Sequence, residues 1–162
     1  WQNNDGLLLK FGTANAGPSK AGEYRLDGPL HLIEQTLDLT TVGSAGAVAS
    51  GADQVSFPAN AKVEKIEVVV KTGATGTGAV LNLGLISRDR STEIDFNGFV
   101  AALPLASLDT AGETTTVQIG GTYAGALIGT TVGTNPGYLS ADYDTAAFTD
   151  GVVFVRYYYR FD

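Results

Sequence analysis

The chain of 162 residues contains no cysteine and no methionine. Disulfide staples, thiolate nucleophiles and cysteine-built zinc sites are therefore excluded, and the redox compartment stays open. Histidine occurs once, as His31. That count excludes a histidine-rich metal centre, and any Ser-His-Asp relay would have to turn on this one side chain. Charged residues make up only 17%, below the ~25% usual in globular domains. Much of the surface must then be Thr, Ser, Ala and Gly, or be covered by partners. Acid dominates the charge, with 17 Asp and Glu against 10 Lys and Arg and a net charge of −7. A phosphate backbone or an anionic lipid surface calls for a basic face, so neither nucleic acid nor a membrane is expected as partner. No apolar run approaches the ~20 residues that span a bilayer. Residues 1–10 lack the basic start and long apolar core of a secretory leader.

What is present is a chain able to build a core. Hydrophobic residues reach 44%, and the 21 glycines cluster between apolar runs, where they read as turns. Residues 62–72 form the clearest strand, with Ile66, Val68 and Val70 on one face and Glu67, Val69 and Lys71 on the other. Val63 is out of step with Ile66, which predicts a β-bulge near Glu64 or Lys65. The glycines at 73, 76 and 78 then predict a turn into residues 79–87, where Leu81, Leu83 and Leu85 share a face. These two strands are expected to pair as an antiparallel hairpin. Residues 88–97 are polar and mixed. Residues 99–108 are apolar but carry Pro104, so any helix there is short. A Thr-rich strand follows at 113–119, with weaker strand signals at 126–128 and 139–143.

Residues 151–161 close the chain as a strand. Val153, Val155, Tyr157, Tyr159 and Phe161 alternate against Val152, Phe154, Arg156, Tyr158 and Arg160. No amphipathic helix longer than two turns and no internal repeat is visible. The expected fold is all-β, an antiparallel β-sandwich or jelly-roll-like domain.

The first forty residues differ from the rest. Leu7, Leu8, Leu9 and Phe11 form a short apolar run between Gly6 and Gly12, with no hairpin partner nearby. Residues 30–39 have strand character, with Leu30 and Leu32 and then Leu37 and Leu39 alternating against polar neighbours. The expected organisation is an extended N-terminal arm over 1–41, a Gly/Ala/Ser-rich hinge over 42–54, and a β-sandwich over 55–162. The alternative for residues 7–11 is an edge strand on the chain's own core.

Sites for chemistry are sparse. His31 lies in Pro29-Leu30-His31-Leu32, outside any serine or carboxylate motif. Asp89, Glu93 and Asp95 could flank a sugar only across a cleft; a solvated loop with local Arg–carboxylate pairs explains them better. Asp142, Asp144 and Asp150 resemble part of a calcium loop, but Ala147 stands where an EF-hand needs glycine. Turn chemistry is the simpler reading. The glycines of 73–78 lack the Lys-Ser/Thr ending of a phosphate loop. No catalytic residue, metal or cofactor is expected. Arginine and tyrosine are enriched at protein interfaces, so Arg156, Tyr158 and Arg160 are the expected partner-binding stripe, with Leu7, Leu8, Leu9 and Phe11 in the arm.

Three stretches carry a resemblance: Phe57-Pro58-Ala59-Asn60-Ala61-Lys62-Val63-Glu64-Lys65-Ile66-Glu67-Val68-Val69-Val70, then Leu81-Asn82-Leu83-Gly84-Leu85, and the closing Gly151-Val152-Val153-Phe154-Val155-Arg156-Tyr157-Tyr158-Tyr159. Together they resemble the small β-sandwich structural proteins of tailed bacteriophages, most of all capsid decoration (cement) proteins. The resemblance covers roughly residues 55–161. It implies a virion component on the capsid exterior that binds major capsid protein, with a homo-oligomer, a trimer, as the assembling unit. It carries no catalytic signature. The competing expectations are a tail- or fibre-associated sandwich and a carbohydrate-binding module stacking sugars on Tyr158, Tyr138 or Trp1.

Overall fold

The computed structural model describes residues 22–25, 30–44, 55–90, 92–133 and 137–161. Its strands are β1 (Gly22–Arg25), β2 (His31–Asp38), β3 (Gly43–Ser44), β4 (Ser56–Phe57), β5 (Ala61–Gly76), β6 (Val80–Ser87), β7 (Glu93–Pro104), β8 (Thr114–Gln118), β9 (Gly137–Asp144) and β10 (Phe148–Phe161). The helical elements among the described residues are two single 3-10 turns, Leu39–Thr41 and Leu105–Ser107. One sheet has the order β1-β2-β10-β5-β8, antiparallel throughout. The other has the order β3-β9-β6-β7, with β4 also on β9 and the short β3 parallel to it. One continuous core joins them: Phe57 of the second sheet lies 5.3 Å from Tyr159 of the first, and Phe99 lies 5.7 Å from Tyr157, ring centre to ring centre. The all-β, antiparallel sandwich expected from the alternation is the fold observed.

Local periodicity reads well on the long strands. On β10, Val153, Val155, Tyr157 and Tyr159 are fully buried while Val152, Phe154, Arg156, Tyr158 and Arg160 are half-buried on the opposite face. Only Phe161, at the sheet's end, departs from this and is exposed. The bulge is where the sequence places it. Tyr158 pairs with Lys65 and Tyr159 with Val63, which leaves Glu64 as the extra residue.

Three expectations are corrected. The β5–β6 hairpin does not form. β5 lies between β10 and β8 in the first sheet, and β6 lies between β9 and β7 in the second. The glycine segment carries the chain from one sheet to the other. β6 is covered on both faces, including Asn82 and Ile86 on the side away from the core leucines, and such a strand belongs in the middle of a sheet. Secondly, residues 31–41 are not arm. β2 pairs with β10 from His31↔Tyr159 to Asp38↔Val152, and Ile33, Leu37 and Leu39 are core. A boundary at residue 41 cuts through this packing. The strand's phase is Ile33, Gln35, Leu37, not Leu30 and Leu32, and the buried Gln35 hides that phase in the sequence. Thirdly, residues 93–97 belong to β7, which runs on to Pro104 before one 3-10 turn. The weak strand signal at 126–128 is only a bridge, Ile128 to Val63.

Candidate interaction surface

The outward face of the first sheet collects the predicted stripe. Alternation on β10 turns Arg156, Tyr158 and Arg160 away from the core, and β2 and β5 supply their neighbours. Arg156 Nε donates to Glu34 Oε2 at 2.7 Å. Tyr158 Oη donates to Glu67 Oε2 at 2.8 Å, while Lys65 Nζ donates to Glu67 Oε1 at 2.8 Å and sits 4.3 Å over the Tyr158 ring. Arg160 Nε lies 3.0 Å from Glu64 Oε1. Further along, Lys71 Nζ lies 5.5 Å over the Phe154 ring.

The bulge makes this arrangement. In a regular strand Glu64 and Lys65 would point to opposite faces. With one residue extra, neither is buried, so Glu64 serves Arg160 while Lys65 serves Tyr158 and Glu67. The charges perturb one another accordingly. The Lys65 hydrogen bond, with help from Tyr158, holds the Glu67 carboxyl below the usual range despite partial burial. Glu34 raises the Arg156 guanidinium. Partial burial, then the bond to Glu67, raises the Tyr158 phenol. Half-exposed pairs contribute only ~0–1 kcal/mol each, so the network's main effect is to fix long side chains in one arrangement. Preordered side chains lose less entropy when a partner covers them.

The other sequence candidates resolve into structure. His31 stacks on Tyr159 at 5.2 Å and meets the edge of Phe161 at 5.2 Å, extending an aromatic column from Tyr157 through Phe99, Phe57 and Tyr159 to the surface. Asp142 and Asp144 both accept from the Asn82 side-chain amide at 2.8 Å, and the Asn82 carbonyl accepts from the backbone of Ala102. Asp89 caps its own turn, accepting from the Thr92 backbone at 3.0 Å and from Ser87 Oγ. Arg90 lies 5.5 Å over the Tyr138 ring. Leu7, Leu8, Leu9, Phe11 and Trp1 lie outside the described residues. Glu34, Glu64, Lys65 and Glu67 were missed from sequence. Only the bulge beside Glu64 signalled any of them, because Glu34 and Arg156 are 122 residues apart.

The sheet edges differ from one another. The outer edge of β7 is covered: Ala101 donates to the Tyr123 carbonyl, Gly125 to Phe99, and Leu127 to Gly98. The outer edge of β9 carries β3 and β4. β8 ends the first sheet, and among the described residues no segment pairs with its outer side. Its five residues pair with β5 in unbroken register, with Thr114, Thr116 and Gln118 exposed and Val117 buried.

No family model matches the chain, and no curated protein matches it. Among solved structures it is similar to a chain of the capsid of Ralstonia phage GP4, with a TM-score of 0.50 and 15% identity over 85% of this chain and 89% of that one. At that identity the likeness is one of fold.

Proposed function

We propose that the chain is a non-enzymatic structural protein of a tailed-phage virion, one that decorates the capsid exterior and stabilises the shell by binding major capsid protein subunits. The supporting observation is the fold shared with a GP4 capsid chain, which extends over 85% of this chain and so compares whole domain with whole domain. The outward face with Arg156, Tyr158 and Arg160 is the proposed shell contact. Its side chains are already held by Glu34, Glu67 and Glu64, as a preorganised interface would have them. A homotrimer would engage several shell sites at once, so each contact could be weak while the whole binds firmly. A tail- or fibre-associated position is the second reading. A carbohydrate-binding module is less well supported, because Tyr158 and Tyr138 both carry a cation over the ring in place of a sugar.

The test is co-sedimentation of the purified protein with shells assembled from the major capsid protein of the same genome. Saturable binding at a fixed ratio, weakened by Arg156→Glu and Arg160→Glu, is the expected result. An absence of binding at saturating protein would overturn the proposal.

A further inference from the structure

Exposed sheet edges are a hazard that proteins manage with charge, proline, bulges or a covering segment. β8 carries no charge, proline or bulge, and no segment among the described residues covers it. Thr114-Thr115-Thr116-Val117-Gln118 is uncharged, free of proline, mostly β-branched and regularly paired on its inner side. Apart from the Gln118 carbonyl, which accepts from the Gly121 N–H, its outer backbone groups have no partner among the described residues, along a strand about 17 Å long at ~3.4 Å per residue. Just beyond it, Ile119 is 62% exposed, the most exposed large apolar side chain among the described residues. An edge of this kind is built to be extended.

We infer that this edge receives residues 6–12 of a second copy as an added strand. The inference deepens the decoration reading and rests on it only in supposing that copies assemble. Residues 1–21 precede β1, and within them only 7–11 combine several large apolar side chains. Alternation would set Leu7, Leu9 and Phe11 on one face and Leu8 and Lys10 on the other. The first face continues the buried side of β8 past Val117 toward Ile119. The second continues the row of exposed threonines.

Topology favours a second copy over the same one. The arm joins at Gly22, the start of β1, and β1 and β8 are opposite edges of one five-stranded sheet. Four strand spacings separate them, ~19 Å at ~4.8 Å each. Residues 13–21 reach ~30 Å at ~3.3 Å each. To pair with its own β8, the arm would have to cross the face bearing Arg156, Tyr158 and Arg160. A copy standing edge-on, with its β8 beside this β1, takes the arm without that crossing. Because the donating and receiving edges differ, the association is head-to-tail, which closes as a ring where the rotation between copies permits and runs on as a filament otherwise.

The cysteine-free chain allows a direct test by cross-linking. Full-length Leu8→Cys and Thr116→Cys proteins, one carrying a mass tag, are mixed and mildly oxidised. Ala147→Cys, exposed in the turn before β10, replaces Thr116→Cys as the control. The expected result is a Leu8–Thr116 heterodimer forming at least about ten-fold faster than the control pair, because docking replaces bulk concentration with a local one. Equal rates for the two pairs overturn the inference. So does a Leu8→Cys/Thr116→Cys double variant that closes its disulfide within a monomer, which would place the arm on its own sheet. Both readouts are made in solution and stay separate from shell binding, so either proposal can fail alone.

Discussion

Replacing Tyr157 with phenylalanine should make this protein more stable. The Tyr157 side chain is 0% exposed and packs edge-on against Phe99 at 5.7 Å. Its hydroxyl is buried and finds no hydrogen-bond partner among the described residues. A buried hydroxyl without a partner costs about 1–3 kcal/mol in lost hydration. Phenylalanine keeps the ring and its contacts and removes only that oxygen. The expected gain is about 1 kcal/mol, or a rise in Tm of about 2–4 °C for a domain of this size. Urea unfolding at neutral pH measures it, with an unchanged m-value showing that the compactness of both states is retained.

A second signature lies at high pH. Burial alone raises the Tyr157 phenol well above its ordinary value. The folded chain therefore keeps a proton that the unfolded chain releases above about pH 10. The contribution is fully present below that pH and is lost as pH rises toward the folded value. Tyr157→Phe should lose less stability than the parent between about pH 10 and pH 11. A variant less stable than the parent by more than about 0.5 kcal/mol, the ordinary range of a neutral change, would show that the hydroxyl has a partner and refute the reasoning.

Other expectations follow from the same structure. Gly84→Ala should destabilise by about 3 kcal/mol or more in a thermal melt, because the new Cβ would lie 2.0 Å from the Asp95 carbonyl oxygen and 2.4 Å from the Phe96 carbonyl carbon. Deleting residues 1–21 should leave a cooperative melt, whereas deleting 1–41 should abolish it, since Ile33, Leu37 and Leu39 leave the core; circular dichroism separates the two. Glu67→Gln should cost less than about 1 kcal/mol at neutral pH. Because the folded carboxyl titrates below its ordinary value of 4.5, Glu67 stabilises above that pH and loses its contribution as pH falls through the folded value. Acid unfolding of the variant should therefore be shallower below about pH 4.5.

What could be read from the sequence was whatever repeats over a few residues. The alternation of β10 and the break in phase at Glu64 are local, and both are found where expected. Pairing is not local. A strand with leucines at every second position after a glycine turn looks like the return arm of a hairpin. Only burial on its other face, at Asn82 and Ile86, marks it as the centre of a different sheet. β2 was hidden for a related reason: its inward phase includes Gln35, and its partner lies at the far end of the chain. The stripe of Arg156, Tyr158 and Arg160 followed from alternation, but the carboxylates that hold it come from β2 and β5 and carry no mark of that role.

The position of β10 has a consequence for synthesis. Of the described strands the latest in the sequence, β10, is the middle of the first sheet, between β2 and β5. Until it arrives, β2 has only β1 to pair with and the aromatic column lacks Tyr157 and Tyr159. Pairings this distant in sequence form late and together. A chain that stops before β10 lacks the central strand of this sheet and four of its core side chains, Val153, Val155, Tyr157 and Tyr159, and a larger unfolded fraction is more open to proteolysis. Strand order thereby makes the first sheet complete only once β10 is in place.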